Sequence, residues 1–221
     1  HARSGDLIVV FYEKLEPLLE IEGLEHLEKA YAEGKGVIAA TCHLGPYEMV
    51  ATFCALKGFD TNVIATALKD PRLDKMLVNN RTSRGAKNIP RGKDNIKIVK
   101  ALKNGGVLFI LIDQDTRVNS IFVDFFGKPT YTPIGAAMLS LRTDAKIVPI
   151  SIHRVKNDKL KITIRPEYSY QTSGDEKKDI YDITSGLSAE LEKLIRQDIS
   201  QWVWMHERWK TKPTSTQQSA I

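Results

Sequence analysis

An imidazole and a carboxylate, His43 and Glu48, stand with four residues between them in the run Cys42-His43-Leu44-Gly45-Pro46-Tyr47-Glu48. A neutral imidazole, whose reference pKa is about 6.5, can take a proton from a hydroxyl near neutral pH. A carboxylate on its other ring nitrogen fixes the tautomer and stabilises the imidazolium that forms. The pair therefore reads as a general base and its orienting partner. The apolar run Val37-Ile38-Ala39-Ala40-Thr41 before it predicts a buried strand, and the residues after it predict a helix to about Leu56, closed by Gly58. A strand end that leads into a helix start is where open α/β sheets place their ligands. Glu48 would lie in a mostly apolar helix, where an unpartnered carboxylate is costly, and this favours its pairing with His43.

Other side chains that can carry chemistry follow in order along the chain. Arg81, Arg84 and Arg91 cluster between a helix and a turn, where guanidinium groups can hold phosphate or an oxyanion, or simply form a solvated basic face. Asp113 and Asp115 follow a strongly apolar run and read as residues at the ligand edge of a sheet or as helix caps. Phe122, Val123, Phe125 and Phe126 either line an alkyl-chain groove or pack in the core. Trp202, Trp204 and Trp209 surround His206 and Arg208, a composition that suits a membrane interface and a packed C-terminal helix equally. Cys42 is read as a small buried residue, because neighbours on a strand point to opposite faces and proton transfer to His43 would be badly arranged. No Gly-x-Ser-x-Gly elbow and no pair of histidines at metal-binding spacing occurs.

The elements that must position these residues alternate. Helices are expected over 6–20, with a kink or break at Pro17, and over 24–33, 71–82, 94–103, 132–141 and 179–199, with a tryptophan-rich helix at 201–210. Strands are expected over 37–41, 61–65 and 107–112, a further apolar segment at 120–126, and neighbouring strands at 146–155 and 160–166. Pro90 is read as a break. The pattern predicts an α/β fold, a mainly parallel central sheet flanked by helices. At 221 residues the chain suits one domain, 1–221, with a polar tail at 210–221.

With 42% apolar and 27% charged residues the chain is globular and not disordered. Its net charge of +5 favours acidic partners: phosphate-bearing lipid, an anionic membrane face, an acidic carrier protein or nucleic acid. Two cysteines make neither a disulfide framework nor a zinc motif. Apolar stretches fall short of the roughly 18–20 residues that span a bilayer, and an N-terminal anchor is expected outside the given sequence.

Taken together, His43-Leu44-Gly45-Pro46-Tyr47-Glu48, Arg81, Leu102-Lys103-Asn104-Gly105-Gly106 leading to Asp113-Gln114-Asp115, Phe125-Phe126-Gly127-Lys128-Pro129 and Trp204-Met205-His206-Glu207-Arg208-Trp209-Lys210 resemble segments of the bacterial lipid A late acyltransferases, the lauroyl and myristoyl acyltransferase family. The resemblance runs from about residue 22 to 213. It implies a glycerolipid-acyltransferase-like fold and transfer of a fatty acyl group from acyl carrier protein, or coenzyme A, to a hydroxyl of a glycolipid, with a lipid A precursor the preferred acceptor. It implies that His43 deprotonates the hydroxyl, Glu48 orients it, Arg81 stabilises negative charge or a phosphate and Asp113 supports the site. Arg84, Arg91, Asp115, Phe125 and Phe126 are assigned to substrate binding. No metal or cofactor is required, and the expected location is the cytoplasmic face of the inner membrane.

Leu44-Gly45-Pro46-Tyr47 departs from the family's usual aromatic-Gly-Asn-Trp filling, which leaves the acceptor open to other glycolipids, including mannosylated inositol lipids. Two rivals stand beside this reading. One is a glycerolipid acyltransferase of the related His-x4-Asp group, against which Glu48 argues. The other is a basic module that binds anionic lipid or nucleic acid without chemistry; the acyltransferase reading includes no nucleic acid partner.

Overall fold

The computed structural model describes residues 15–92 and 94–214. The chain opens with a single 3-10 turn at Glu16–Leu18, then β1 (Leu19–Glu22), α1 (Leu24–Ala32), β2 (Val37–Thr41) and α2 (Glu48–Leu56). β3 (Thr61–Ala65), α3 (Pro71–Thr82), β4 (Lys87–Pro90), α4 (Asn95–Lys103) and β5 (Val107–Leu111) follow. The second half runs through β6 (Ser120–Phe125), β7 (Lys128–Pro133), α5 (Gly135–Thr143), β8 (Lys146–Arg154), β9 (Leu160–Ile164) and α6 (Glu176–Ile195).

Seven strands form one sheet in the order β1-β9-β8-β2-β5-β3-β4. From β8 to β4 neighbouring strands are parallel, while β9 runs antiparallel to β8 and carries β1 parallel to itself at the edge. β6 and β7 make a separate antiparallel hairpin. The α/β architecture with a mainly parallel sheet matches the expectation from the alternating pattern.

Why β2 sits at the centre is legible in its residues. All five of its positions are buried, because helices cover both faces and its side chains alternate between them. Ile38 and Ala40 join Leu108, Ile110, Leu102 and Leu191 on one face, against α4, α5 and α6. Val37 and Ala39 join Phe109, Val50, Phe53 and Leu27 on the other, against α1 and α2. Strand order matters as much as burial. The chain leaves β2 for β3, returns to insert β5 between them, and crosses β2 again to reach β8, so the crossovers change direction around the C-terminal ends of β2 and β5. That crevice is the place such sheets offer to a ligand.

Four expectations are corrected. Of the helix expected over 6–20, residues 6–14 lie outside the described residues, and 19–22 form an edge strand. The alternation Leu19, Glu20, Ile21, Glu22 puts apolar side chains inward and charged ones outward at a period of two, which a helix cannot do. The break at Pro90 is the end of a strand, tolerated because β4 is the sheet's edge. The helix expected from 132 starts at Gly135, since Thr132 and Pro133 belong to β7. The tryptophan-rich stretch 201–210 is not a helix. Its backbone hydrogen-bonds to the loop after β2 instead: Gly45 N–H donates to Gln201 O at 3.0 Å and Val203 N–H to His43 O at 3.0 Å.

Among the described residues no helix is long and apolar enough to cross a membrane. Phe109 faces the β5 core between α1 and α2 partners, and Phe109→Ala should cost about 3–5 kcal/mol of unfolding free energy, read as a fall in the urea midpoint with an unchanged slope.

Candidate active site

β2 and β5 are parallel neighbours with Thr41 level with Leu111. Two residues beyond each strand, the register therefore brings His43 and Asp113 side by side. The His43 ring Nδ1 lies 2.7 Å from Asp113 Oδ1, and the His43 backbone N–H donates to Asp113 Oδ2 at 2.7 Å. Trp202 completes the arrangement from the C-terminal segment: its indole N–H donates to the same Oδ2 at 2.9 Å. Asp113 is almost wholly buried, 1% exposed. Burial pushes its pKa up, but the hydrogen bond and charge of His43, the Trp202 indole and the His43 amide outweigh that and hold it below the usual carboxylate value. An ionised Asp113 can only accept, so Nδ1 of His43 carries a hydrogen, and in the neutral ring Nε2 then presents a lone pair. Gln114 Nε2 sits 2.9 Å from that lone pair and donates to it.

The carboxylate that meets the His43 ring is thus Asp113 and not Glu48, which corrects the base pair expected from the local spacing. Glu48 opens α2 and faces α3, where Arg81 grips it with two parallel bonds, Nε to Oε2 at 2.8 Å and Nη2 to Oε1 at 2.6 Å. Nη1 of Arg81 donates to Asn88 Oδ1 at 2.7 Å. This is the planar two-pronged fit of guanidinium to carboxylate, and both charges are largely desolvated. Arg81 is thereby occupied by protein partners, while Glu48 still lines the same cavity as His43.

That cavity, about 380 Å³, is lined by His43, Tyr47, Glu48, Arg81, Arg91 and Gln114 among others. Through Ile64, Arg91 and Leu111, which line both, it adjoins a second cavity of about 370 Å³ walled by Ile98, Ile110, Val118, Ile134 and Met138. Arg91 stands at the junction. Its backbone is fixed by donation to Ala65 O at 2.9 Å. No hydrogen bond or ion pair engages its guanidinium among the described residues, and burial lowers its pKa. A half-buried cation without a counterion is a ready acceptor for an anion.

The other expected site residues lie elsewhere. Arg84 extends along the C-terminal end of α3 and donates to Asn80, away from His43. Asp115 holds the C-terminal segment, accepting from Thr211 N–H at 2.9 Å and Thr211 Oγ1 at 3.1 Å. Phe125 is core, 1% exposed, packed on Trp202 and Trp209. Phe126 stacks beneath the Arg196 guanidinium. Neither phenylalanine lines the cavities beside His43, so the alkyl-groove assignment for that pair is replaced by core packing on α6.

Three residues of the site had no assigned role in the sequence: Gln114, Trp202 and His206. The Gln114 amide nitrogen lies 2.9 Å from His43 Nε2 and 3.0 Å from His206 Nε2, and the two imidazole rings meet edge to face at 4.9 Å. Burial and the charge of His43 depress the His206 pKa, against a smaller opposite effect of Asp113. That shift favours the neutral ring, the form able to accept from Gln114. Tyr47 covers another side of the His43 ring at 4.7 Å. Behind them Arg208, 1% exposed, ties the segment to the hairpin by donating to Tyr131 O at 2.7 Å and Thr132 Oγ1 at 2.6 Å. Burial lowers its pKa to about 10 despite the carboxylates of Asp113 and Asp115. Cys42 is fully buried and its thiol pKa is pushed well up by that burial and by Asp113, as a structural residue requires.

Gly45 lets the loop turn back under the C-terminal segment. Its φ is +52°, and a Cβ there would lie 3.0 Å from both His153 Cα and Ile152 O.

Two outcomes are expected. Arg81→Ala or Glu48→Gln should each destabilise the fold by about 2–4 kcal/mol by stranding the partner's charge, whereas the double variant Arg81→Met/Glu48→Leu should recover most of it, measured by chemical denaturation. Asp113 has a folded pKa below its unfolded value of about 3.9. Its contribution is therefore present above that value and lost as pH falls through the folded pKa. Acid titration of stability should be steeper below about pH 4 for the wild type than for Asp113→Asn.

The chain matches the family model described as "Bacterial lipid A biosynthesis acyltransferase" over residues 4–211. Among curated proteins it is 29% identical over 133 residues to a phosphatidylinositol mannoside acyltransferase of Mycobacterium tuberculosis, a match that takes in 58% of this chain and 42% of that protein. It is 27% identical over 198 residues to the lipid A biosynthesis lauroyltransferase of Escherichia coli, covering 88% of this chain and 62% of that one. A lipid A biosynthesis acyltransferase of Haemophilus influenzae is 22% identical over 210 residues, 94% of this chain and 64% of the other. The chain thus spans less than two thirds of the length of each of these relatives.

Proposed function

The chain belongs to the bacterial lipid A biosynthesis acyltransferase family, and from that premise we propose that residues 1–221 act as one O-acyltransferase domain, moving a fatty acyl group from a thioester to a hydroxyl of a glycolipid. The observation that carries the proposal is the His43 ring, held by Asp113 on Nδ1 and lining a cavity. A site built in this way supports proton transfer, which a passive basic binding module has no use for.

The geometry supports the following course of reaction. The acceptor hydroxyl displaces the Gln114 amide from Nε2 and gives its proton to His43. Its oxygen bonds to the thioester carbonyl carbon, and the carbonyl electron pair moves onto oxygen. When the tetrahedral intermediate collapses the carbon–sulfur bond breaks, and the imidazolium returns the proton to the departing thiolate. No acyl-enzyme forms. Asp113 stabilises the imidazolium throughout by a charge-assisted bond in a dry setting, a contribution of the kind that general base catalysis supplies at about 10²–10⁴-fold.

Because Arg81 is already committed to Glu48 and Asn88, Arg91 is the cation for the donor's phosphate or for the developing oxyanion. The apolar cavity beyond it receives the acyl chain. The donor is acyl carrier protein, or coenzyme A, and the net charge of +5 suits either acidic carrier. The preferred acceptor is a lipid A precursor at the cytoplasmic face of the inner membrane, supported by relatives named for lipid A that match most of this chain. A mannosylated inositol lipid is the second acceptor reading, favoured by the 29% identity to a relative named for that activity.

Purified protein given acylated carrier protein and each acceptor in turn, with products read by mass spectrometry, tests the proposal. His43→Ala should lower kcat by about 10²–10⁴-fold, and Arg91→Ala should raise the KM for donor by about tenfold or more. Near-wild-type turnover by His43→Ala would end the reading.

A further inference from the structure

An imidazole that can take a proton from an alcohol can take one from water, and a thioester held beside it is then open to hydrolysis. Water oxygen would bond to the carbonyl carbon, the carbon–sulfur bond would break, and the proton would pass through the imidazole to the thiolate, leaving a free acid and a thiol. The surroundings of His43 bear on which of the two is admitted. Its side chain is 12% exposed. Asp113 occupies Nδ1 at 2.7 Å and Gln114 occupies Nε2 at 2.9 Å, so both ring nitrogens have partners. The rings of Tyr47 and His206 stand edge to face against the imidazole at 4.7 and 4.9 Å.

Gln114 follows Asp113 directly, so the turn after β5 that brings the carboxylate to Nδ1 also carries the amide to Nε2. The amide nitrogen has two hydrogens. One is given to His43, and the same nitrogen lies 3.0 Å from His206 Nε2, with His206 Nδ1 also within reach. A neutral imidazole has one bare nitrogen, so in either tautomer His206 offers the second N–H an acceptor. His206 is tied to the same frame as His43: its backbone N–H donates to Val203 O at 3.4 Å, and Val203 N–H donates to His43 O at 3.0 Å. To reach His43 Nε2, water or an alcohol must replace the amide, an exchange of hydrogen bonds with a small net value. Water brings only its own hydrogen bond. A glycolipid hydroxyl arrives with the rest of its molecule, and contacts made there offset the displacement. Displaced from His43, the amide still keeps His206.

We propose that Gln114, steadied by His206, caps the Nε2 atom of His43 and yields it to a hydroxyl carried by a bound acceptor while keeping it from water. His206 is thereby a positioning residue, acting on His43 through the Gln114 amide. This rests on the acyltransferase reading for its purpose and deepens it by naming what selects alcohol over water as the acyl acceptor. The cap itself is testable without substrate.

Diethyl pyrocarbonate attacks a bare imidazole nitrogen, and peptide mass spectrometry reads its rate at His43, with His26 of α1, its side chain 34% exposed, as the internal reference. At neutral pH, Gln114→Ala should be labelled at His43 about 2–10-fold faster than the wild type, and should hydrolyse acylated carrier protein faster by a similar factor when no acceptor is present. His206→Phe keeps a ring against His43 but offers the amide no acceptor, and it should move both rates the same way. His206→Gln, which restores an acceptor, should bring them back toward the wild type. Labelling of His43 that is unchanged in both Gln114→Ala and His206→Phe would overturn the cap. So would faster labelling with no rise in hydrolysis, in protein that transfers acyl groups. Faster labelling in protein that neither transfers nor hydrolyses would leave the cap standing and count against the acyltransferase reading alone.

Discussion

One buried carboxylate, Asp113, accepts three hydrogen bonds that originate in separate parts of the chain. Two come from His43, two residues beyond β2, and one from the segment after α6. An ionised group so far from water is tolerable only when its lone pairs are filled, so the three donors have to be delivered together. The parallel register of β2 and β5 delivers the first two. The C-terminal segment gives up helix formation and lies along the His43 loop to deliver the third. Much of what is irregular in this half of the molecule follows: the positive φ at Gly45, the bridge from Leu44 to Trp202, and the buried Arg208 that fastens the segment from behind.

A second consequence is the separation of charge within the cavity. Arg81 and Glu48 neutralise each other as a fixed wall. Asp113 is matched to His43. Among the described residues that line it, what remains without a counter-charge is Arg91, placed between a polar cavity and an apolar one. A substrate with an anionic or polarised head and a long alkyl tail fits that gradient. A purely polar ligand would leave the apolar cavity empty, and a purely apolar one would leave the guanidinium unmatched.

Local regularities in the sequence carried most of the fold. Apolar runs such as Val37–Thr41 and Val107–Leu111, and the helix bounded by Asp70-Pro71, stand out because their period, length and caps are short-range properties. The edge strand Leu19–Glu22 was obscured by helical spacing that also fits its neighbours, and β4 by its proline. The site was harder for a different reason. His43 and Glu48 lie one turn apart, so spacing suggested that they meet, but the loop 42–47 sends their side chains to different partners. Asp113 lies 70 residues from His43 in sequence, and only the strand order shows that they are level. Trp202 and His206 are more distant still, and their aromatic composition gave no hint that their backbone would pair with the His43 loop.

The tautomer of His43 is the most direct test of this account. In a protein labelled with nitrogen-15 on its histidines, the ring of His43 near neutral pH should show a protonated Nδ1, with its proton shifted far downfield by Asp113, and an unprotonated Nε2. The downfield proton should disappear in Asp113→Asn and persist in Glu48→Gln. A ring protonated on Nε2 instead, or a downfield signal abolished by Glu48→Gln and untouched by Asp113→Asn, would contradict the account at its foundation.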